Sequence, residues 1–424
     1  MKKNILVFPC GSEIGLEIYN SVKYSTYFNL IGANSIDDHG KFIYKNYIGG
    51  LPFVNDKNII TELKKIVQEK NIDAIYPTMD LAITILKQNE NELGCKVVAP
   101  PLETVEISLS KEKTYEILKN IINIPTVYEH INQITEYPVF VKPKIGYGAI
   151  GTKLVKNKEE LETFLSNSDK ENLILEYLPG EEYTIDCFTD RHGELRYCSA
   201  RQRNRIKSGI SVNTSFAENQ NEFREFVEKI NSKVNFRGAW FAQVKRNAKG
   251  ELALLEIASR LGGSSSLCRG IGINFAQMTL FDIFDYDINI LKNDYPIVMD
   301  RALDNVYKCD IDYNTIYVDY DDCLILDKSK VNTELISFLY KSINEKKKII
   351  LLTKHEGNLE EGLQKFRIKN LFDEIIHIKK EEQKADYIKN SDAIFIDDSF
   401  AERIKVKQAQ NINVFSPEMI CVLL

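Results

Sequence analysis

The hydrophobic positions of residues 1–105 come in short apolar runs separated by longer amphipathic segments. The pattern predicts strands at 4–8, 30–32, 74–77 and 97–99, and helices from residue 14, over 58–70 and over 81–92. Because strands and helices take turns, it predicts a doubly wound parallel sheet, whose ligands bind near the carboxyl ends of the strands. The Gly11–Gly15 turn and Asp80 follow two such strand ends. A ligand contact is one interpretation of both features, and a tight turn and a helix cap are equally good ones.

A second pattern, of near-alternate apolar and polar residues, occurs in Gly238–Lys245 and Glu251–Ile257. The four residues between them, Asn-Ala-Lys-Gly, are typical of a hairpin turn. In such a hairpin Gln243 and Glu256 lie near each other on one face, and Arg260 follows just beyond the strand end. An amide, a carboxylate and an arginine in that place would hold a divalent cation and a polyphosphate. The alternative is a solvated strand face.

Composition narrows the classes of function. The 424 residues are enough for two or three domains, and 44% hydrophobic and 27% charged residues are typical of a globular protein. A net charge of −6 argues against a protein that coats nucleic acid, and no apolar stretch approaches the roughly 20 residues of a membrane span. The apolar start is too short for a signal peptide, and eight scattered cysteines without a CxxC pair favour reduced thiols. We therefore expect a cytoplasmic protein that binds neither nucleic acid nor membranes.

A glycine-rich loop follows a predicted strand that ends in Lys142. The loop contains Gly146, Gly148 and Gly151 and leads into another predicted strand, Thr152–Val155. Backbone N–H groups of such a loop can hold phosphates, while the lysine adds a point charge. The loop lacks the GxxxxGK[ST] pattern of a P-loop, and a plain β-hairpin is the alternative interpretation.

Two further groups of polar residues follow on predicted strands. The segment LEYLPGEEYTID offers strand edges that suit a flat base, and its Glu182 lies one short turn away, where a ribose hydroxyl could be held. The next strand carries three cationic side chains, those of Arg201, Arg203 and Arg205. An anion site and a surface salt-bridge face are equally good interpretations of these arginines.

In this order, the motifs resemble those of the ATP-grasp superfamily, in particular carboxylate–amine ligases similar to carbamoyl phosphate synthase. The likeness covers roughly residues 1–300 and implies a pre-ATP-grasp α/β domain at 1–105 and an α+β ATP-grasp domain at 106–303. The resemblance implies that ATP is bound by Lys113, Lys142, Gly146, Gly148, Gly151, Glu176, Leu178 and Glu182. It further implies Mg²⁺ (alternatively Mn²⁺) on Gln243 and Glu256, a catalytic contact of Arg260 with the transferred phosphate, and substrate or phosphate contacts of Arg203 and Arg205.

One position departs from the family pattern. The family usually has ExNxR, and the segment here is Glu256-Ile257-Ala258-Ser259-Arg260. Ala258 cannot ligate a metal, so one magnesium position is left to water or to another side chain.

The C-terminal residues predict a third domain, 312–424, with strands at 315–318, 348–352 and 393–396. Acids, a hydroxyl and a lysine follow these strands, and at the ends of parallel strands they would form one magnesium phosphate site. Helix caps or solvated strand ends are the alternative. In order, these motifs resemble the haloacid dehalogenase (HAD) superfamily, which implies a Rossmannoid fold. About thirty residues between the first two motifs leave no room for a large cap domain.

The HAD resemblance implies roles for individual residues. Asp319 would be the nucleophile that forms an aspartyl-phosphate, and Asp321 the general acid/base. Thr353 and Lys384, with Lys380 as the alternative lysine, would bind the phosphoryl oxygens. The magnesium ligands would be Asp319, Asp321, Asp397 and Asp398.

The two resemblances together imply an ATP-dependent ligase fused to a phosphatase. The ligase would activate a small carboxylate as an acyl phosphate and join it to an amine, and the phosphatase would act on a related phosphorylated metabolite. A homodimer is left open. Three alternatives remain: a phosphatase with a nucleotide-sensing front half, a kinase or a ligase acting on a protein or peptide, and a HAD unit that regulates without turnover.

Overall fold

The apolar runs of the N-terminal third form one parallel sheet in the computed structural model, which describes residues 2–146, 150–207, 210–302, 307 and 311–424. Its strands are β1 (Lys3–Phe8), β2 (Phe28–Ala33), β3 (Tyr47–Ile48), β4 (Ala74–Pro77) and β5 (Lys96–Val97), in the order β3-β2-β1-β4-β5. The helices between them are α1 (Glu13–Val22), α2 (His39–Ile43), α3 (Ile59–Glu69), α4 (Asp80–Gln88) and α5 (Glu90–Leu93). The predicted parallel sheet is confirmed, because all of its strand pairs are parallel. The predicted helix over 81–92 is divided at Asn89.

Two antiparallel sheets follow. The helices α6 (Leu102–Leu109) and α7 (Lys111–Leu118) lead into β6 (Val127–Tyr128), β7 (Val139–Pro143), β8 (Lys153–Val155), α8 (Lys158–Ser166) and β9 (Asn172–Glu176). These strands form a four-stranded sheet in the order β6-β9-β7-β8. A short 3-10 helix, Ile131–Gln133, precedes β7.

The larger antiparallel sheet has the order β14-β13-β10-β11-β12-β15. Its strands are β10 (Glu182–Thr189), β11 (Leu195–Lys207), β12 (Ile210–Phe216), β13 (Gly238–Arg246), β14 (Leu252–Ala258) and β15 (Val298–Asp300). The connecting helices are α9 (Gln220–Asn231), α10 (Ser266–Gly270) and α11 (Phe275–Ile283).

Close packing fixes the start of β13, which carries part of the site described below. Trp240 is buried, stacks on Phe236 with ring centroids 3.9 Å apart, and donates a hydrogen bond to Thr189. Gly238 has a φ of +82°, and a Cβ there would lie 2.6 Å from the side chain of Thr279. Only glycine therefore lets β13 begin this close to α11.

The chain divides into two compact units, Met1–Leu303 and Asp304–Leu424. The second unit contains β16 (Thr315–Val318), β17 (Ile325–Leu326), β18 (Lys330–Val331), α12 (Thr333–Asn344), β19 (Lys348–Thr353), α13 (Leu359–Lys365), β20 (Glu374–His377), β21 (Ala393–Ile396), α14 (Phe400–Gln410) and β22 (Asn413–Phe415). Five strands form a parallel sheet in the order β20-β19-β16-β21-β22, and β17 and β18 form a small hairpin. Between β16 and β19 the chain forms only this hairpin and α12.

The remaining helices of the second unit are of the 3-10 type. They cover Lys369–Leu371, Lys384–Tyr387 and Pro417–Val422. Lys384 therefore begins a single 3-10 turn. Among the described residues, none of the helices combines the length and apolar content that a bilayer crossing requires.

Two candidate active sites

A cavity of about 560 Å³ opens in the first unit, along one face of the six-stranded sheet. The turn before α1, the segment after β4, the end of β7 and the loop after β14 complete its walls. Ser12 and Asp80, which follow two strand ends of the parallel sheet, are part of the lining. The cavity is therefore formed where all three sheets of this unit contribute residues.

A row of side chains crosses four strands at the floor of the cavity. Arg201 pairs in register with Thr184, Thr184 with Gln243, and Gln243 with Glu256. All four residues line the cavity. The expected proximity of Gln243 and Glu256 is confirmed, because alternate residues of a strand share a face and a hairpin places the two opposite each other.

Polar contacts link this row to its neighbours. In the amide orientation that satisfies both of its neighbours, Gln243 donates to Glu256 over 3.1 Å and accepts from Arg203 over 3.3 Å. Arg203 also forms an ion pair with Glu182, the expected ribose contact, and both line the cavity. Gln243 and Glu256 each carry side-chain oxygen at the floor, and a bound Mg²⁺ would take the Gln243 oxygen in place of Arg203. Two protein oxygens are a number that Mg²⁺ often takes when phosphates supply others.

Arg260 extends from the loop after β14 to the parallel sheet. Its Nε and Nη2 donate to the two carboxylate oxygens of Asp80 over 2.8 and 2.9 Å. Phe241 lies beneath the guanidinium, 5.4 Å away, and Arg260 lines the cavity as predicted. Ala258 is buried opposite Phe241 and offers no metal ligand.

Two lysines form the opposite wall. Lys142 is buried at the end of β7, and its Nζ donates to the Tyr115 hydroxyl over 2.8 Å and to the Leu255 carbonyl over 2.7 Å. Burial lowers the pKa of the Lys142 ammonium to about 7. Lys111 donates to the Gly146 carbonyl over 2.8 Å and lies 3.7 Å from the carboxylate of Glu256.

The prediction that Lys113 belongs to this site needs correction. Its side chain is 56% exposed, lies 3.9 Å from Glu106, and is not part of the cavity lining. Helix α7 begins at Lys111, and residues two apart on a helix point about 200° away from each other. Both lysines lie in the first turn of α7, and the position at which the helix begins makes Lys111 the one that faces the cavity. The sequence analysis missed this distinction.

The three arginines of β11 also differ in whether they line the cavity. Arg201 and Arg203 line the cavity, whereas Arg205 is 61% exposed and pairs with Asp300 over 2.8 Å. Irregular pairing with β12 on either side of Arg205 breaks the strand alternation that would place the three on one face. The expected phosphate or substrate contact of Arg205 is therefore corrected, and Arg201 takes its place in the lining.

The remaining predicted nucleotide residues lie in different surroundings. Gly146 lines the cavity, and Gly151 has a φ of +78° over the ring of Pro143. Glu176 accepts hydrogen bonds from the backbone N–H and the hydroxyl of Thr126, and Leu178 is buried; neither is part of the lining. Gly148 falls outside the described residues.

Comparisons with known proteins agree with this architecture. Residues 168–296 match the model of a family described as ATP-grasp in the biosynthetic pathway with Ter operon. The biotin carboxylase domain of the Hydrogenobacter thermophilus 2-oxoglutarate carboxylase, solved with MgADP, ADP and bicarbonate, superposes with a TM-score of 0.58 at 16% identity. The likeness covers 69% of this chain and 72% of that domain. The chain carries an ATP-grasp fold.

Sequence relatives match parts of the chain at low identity. The large chain of carbamoyl phosphate synthase from Thermoplasma acidophilum is 23% identical over 290 residues, which are 61% of this chain and 27% of that protein. A formate-dependent phosphoribosylglycinamide formyltransferase from Prochlorococcus marinus subsp. pastoris is 27% identical over 213 residues, 44% of this chain and 53% of the relative. The chain thus spans about half or less of the length of these two curated relatives.

A second candidate site lies in the unit that follows the ATP-grasp fold. Carboxylate oxygens of Asp319, Asp397 and Asp398 lie within 4.8 Å of one another. Lys384 is buried and its Nζ lies 2.7 Å from Asp319 and 2.6 Å from Asp397. Burial, with Asp319 alongside, raises the pKa of the Asp397 carboxyl, although Lys384 opposes the shift. A third carboxylate beside this pair makes the cluster suitable for a divalent cation.

The other residues predicted for this site are Thr353, Asp321 and Lys380. Thr353 is buried at the end of β19, the strand next to β16. Asp321 contacts His355, whose Nδ1 lies 2.9 Å from both carboxylate oxygens. Lys380 is exposed and pairs with Glu356, so Lys384 is the lysine of the site. The contact with His355 escaped the sequence analysis, because nothing in the spacing connects residues that follow two different strands.

Proposed function

We propose that the ATP-grasp unit is an ATP-dependent ligase that activates a small carboxylate as an acyl phosphate and joins it to an amine. The observation that carries the proposal is the convergence of Lys111, Lys142 and Arg260 on the cavity that holds Gln243 and Glu256. A floor with two oxygen ligands and walls with separate cations suits a metal-bound polyphosphate. The name of one relative contains formate, a small carboxylate, and that of another contains carbamoyl phosphate, an acyl phosphate, which agrees with the proposed chemistry.

The reaction would proceed in two steps. A carboxylate oxygen of the acid attacks the γ-phosphorus of ATP, the bond to the β-phosphate oxygen breaks, and ADP leaves. The amine nitrogen then attacks the acyl carbon, the bond to the phosphate oxygen breaks, and the amine loses its proton. The products are an amide, ADP and phosphate.

The residues of the cavity would stabilise the charge that develops in the first step. Lys142 and Lys111 exchange their present carbonyl partners for phosphate oxygens, and Arg260 contacts the phosphoryl group that is transferred. Asp80 accepts hydrogen bonds from Nε and Nη2 of Arg260, which orients the guanidinium before substrate binds. When bound, Mg²⁺ on Gln243 and Glu256 would neutralise further phosphate charge.

A screen for ADP release over pairs of acids and amines tests this function. We expect ADP release that requires both an acid and an amine, and its loss in Glu256→Gln. Hydroxylamine serves as a general amine, because it converts an acyl phosphate into a hydroxamate that is easily measured. ATP-independent phosphate release as the sole activity would contradict the proposal and favour a phosphatase with a nucleotide-sensing front half.

For the C-terminal unit we propose a magnesium-dependent phosphatase of the HAD type that acts on a related phosphorylated metabolite. The supporting observation is the buried lysine between two carboxylates, with a third acid and the end of β19 beside it. Asp319 would attack phosphorus and release the alcohol, which takes a proton from Asp321. Water then attacks the aspartyl-phosphate, Asp321 accepts its proton, and phosphate leaves. Lys384 and Thr353 would hold the phosphoryl oxygens.

Phosphate release from a panel of phosphorylated metabolites, with Mg²⁺ and after its removal by a chelator, tests the second activity. We expect release that depends on the metal and not on ATP. Metal-independent release, or none from any member of the panel, would favour a regulatory unit.

A further inference from the structure

Arg201 is a buried cation of the ATP-grasp cavity that none of the roles above uses. It is 4% exposed, and its Nε donates to the Asp186 carboxylate over 2.6 Å. Its Nη1 is also buried but has no hydrogen-bond partner among the described residues. Because buried polar groups in proteins are nearly always paired, an N–H of this kind on the wall of a cavity indicates a place for a ligand atom.

The sheet register shows to which part of the cavity Arg201 belongs. On β10, Glu182, Thr184 and Asp186 are alternate residues and therefore face the same side. Glu182 lies opposite Arg203 at the expected ribose end, and Thr184 lies in the row with Gln243 and Glu256. The backbone of Arg201 lies opposite Thr184, in the row of Gln243 and Glu256. Its side chain pairs with Asp186, which belongs to the next row along β10. It thus extends past the proposed metal ligands, away from the ribose end.

The backbone of Gly262 lies directly against this ion pair. A Cβ on Gly262 would lie 2.8 Å from Oδ1 of Asp186 and 3.0 Å from Nη2 of Arg201, which is too close for any other residue without a shift. Gly262 itself lines the cavity, two residues after Arg260. Arg201 and Gly262 together form a part of the cavity wall with a positively charged hydrogen-bond donor, the unpaired Nη1, and we call this part the Arg201–Gly262 subsite.

We propose that this Arg201–Gly262 subsite binds the carboxylate of the acid substrate. The inference rests on the proposed ligase function and adds the residue that recognises the acid. A planar guanidinium suits a carboxylate, and Asp186 holds its Nε in place. Because Arg201 lies beyond the metal ligands, the acid and not the nucleotide is its ligand.

The experiment compares binding of carboxylates with binding of nucleotide. Saturation-transfer NMR and calorimetry measure formate, acetate, bicarbonate, glycine and succinate, each in the presence of MgADP, and MgADP alone. A single Arg201 variant would leave Asp186 buried and unpaired, so the double variant Asp186→Asn/Arg201→Gln removes both charges together. Gly262→Ala retains both charges and places a methyl group against the ion pair, which must shift to admit it. Arg224→Gln, an exposed arginine of α9 that pairs with Glu228, is the matched control.

We expect the wild type to bind at least one carboxylate, and both subsite variants to bind it at least about tenfold more weakly. MgADP affinity should stay within about twofold in every variant, and Arg224→Gln should behave as wild type. A parallel loss of MgADP affinity would assign Arg201 to the nucleotide phosphates and overturn the inference. So would unchanged carboxylate affinity in both variants, or a wild type that binds MgADP but no carboxylate. A wild type that binds neither would instead contradict the proposed function itself.

Discussion

In the ATP-grasp cavity each cation has its own internal partner, whereas in the C-terminal unit a single lysine serves two carboxylates. Arg260 is held by Asp80, and Lys111 by the carbonyl of Gly146. In the other site Lys384 lies between Asp319 and Asp397, and Asp398 adds a further acid. In the first site a cation can exchange its internal partner for an anionic ligand. In the second site the carboxylates outnumber the lysine, so one of them remains available for a cation.

This difference predicts that the two proposed activities respond to separate substitutions. The largest effect should come from Asp319→Asn, which removes the proposed nucleophile. Phosphate release from para-nitrophenyl phosphate should fall by about 10³-fold or more, since loss of a covalent nucleophile has effects of that size. ADP formation by the ATP-grasp unit should stay unchanged. Asp327→Asn, an exposed acid of the same unit, is the control, and full phosphatase activity in Asp319→Asn would exclude the nucleophile role.

The next effect concerns the floor of the ATP-grasp cavity. Glu256→Gln replaces the carboxylate with a neutral amide of the same shape, so ADP formation should fall by about 10²-fold or more while the fold is kept. Coupled-enzyme measurement of ADP at saturating magnesium checks the rate, and circular dichroism checks the fold. Glu251→Gln on the same hairpin, whose carboxylate contacts only the turn residue Asn247 among its described hydrogen bonds, should retain activity. Turnover by Glu256→Gln at the wild-type rate would make the hairpin purely structural.

A smaller effect distinguishes the lysines. Lys142→Met should weaken Mg-ATP binding by about tenfold or more, because a charge-assisted contact contributes roughly 1.5–3 kcal/mol. Lys113→Met should leave the affinity nearly unchanged, since its side chain lies outside the cavity. Calorimetry on the two variants measures this. Equal losses in both would show that Lys113 reaches the nucleotide in the bound state and would reverse the correction made above.

The smallest predicted effect is the uptake of a proton when ATP binds. Burial lowers the pKa of Lys142 to about 7, so at pH 8 the free protein holds this lysine mostly uncharged. A phosphate beside the amine favours the charged form and raises its pKa again. ATP binding at pH 8 should therefore take up close to one proton, measured by calorimetry in buffers with different ionisation enthalpies. The uptake should disappear at pH 6, where Lys142 is already charged, and in Lys142→Met. The same uptake in that variant would assign the proton to another group.

The sequence predicted the parts of the site that depend on local periodicity. Gln243 and Glu256 alternate with apolar residues around a recognisable turn, so their face and their pairing follow from strand geometry. The parallel sheet of the N-terminal third follows in the same way from alternating strands and helices. The domain limits at 105 and 312 and the roles of the site residues remain proposals.

Two of the errors, those at Lys113 and Arg205, have a common physical cause in small shifts of phase. Lys111 and Lys113 share one helical turn, and only the position of the helix start decides which of them faces the cavity. Arg205 left the predicted face because the strand pairing around it is irregular, and irregular pairing has no clear sequence signature. The contact between His355 and Asp321 joins residues 34 positions apart, which periodicity within one element cannot detect.

The contacts of Arg260 also have a mechanical consequence. Its two hydrogen bonds to Asp80 tie the hairpin to the parallel sheet, and no phosphate is needed to keep them. The four-stranded sheet is tied to the hairpin by the hydrogen bond from Lys142 to the Leu255 carbonyl, on the lysine that we assign to the nucleotide. A nucleotide that takes over Lys142 would thus loosen one wall while the other stays fixed. Movement during the catalytic cycle should therefore be concentrated in the four-stranded sheet, with the parallel sheet and hairpin moving as one body.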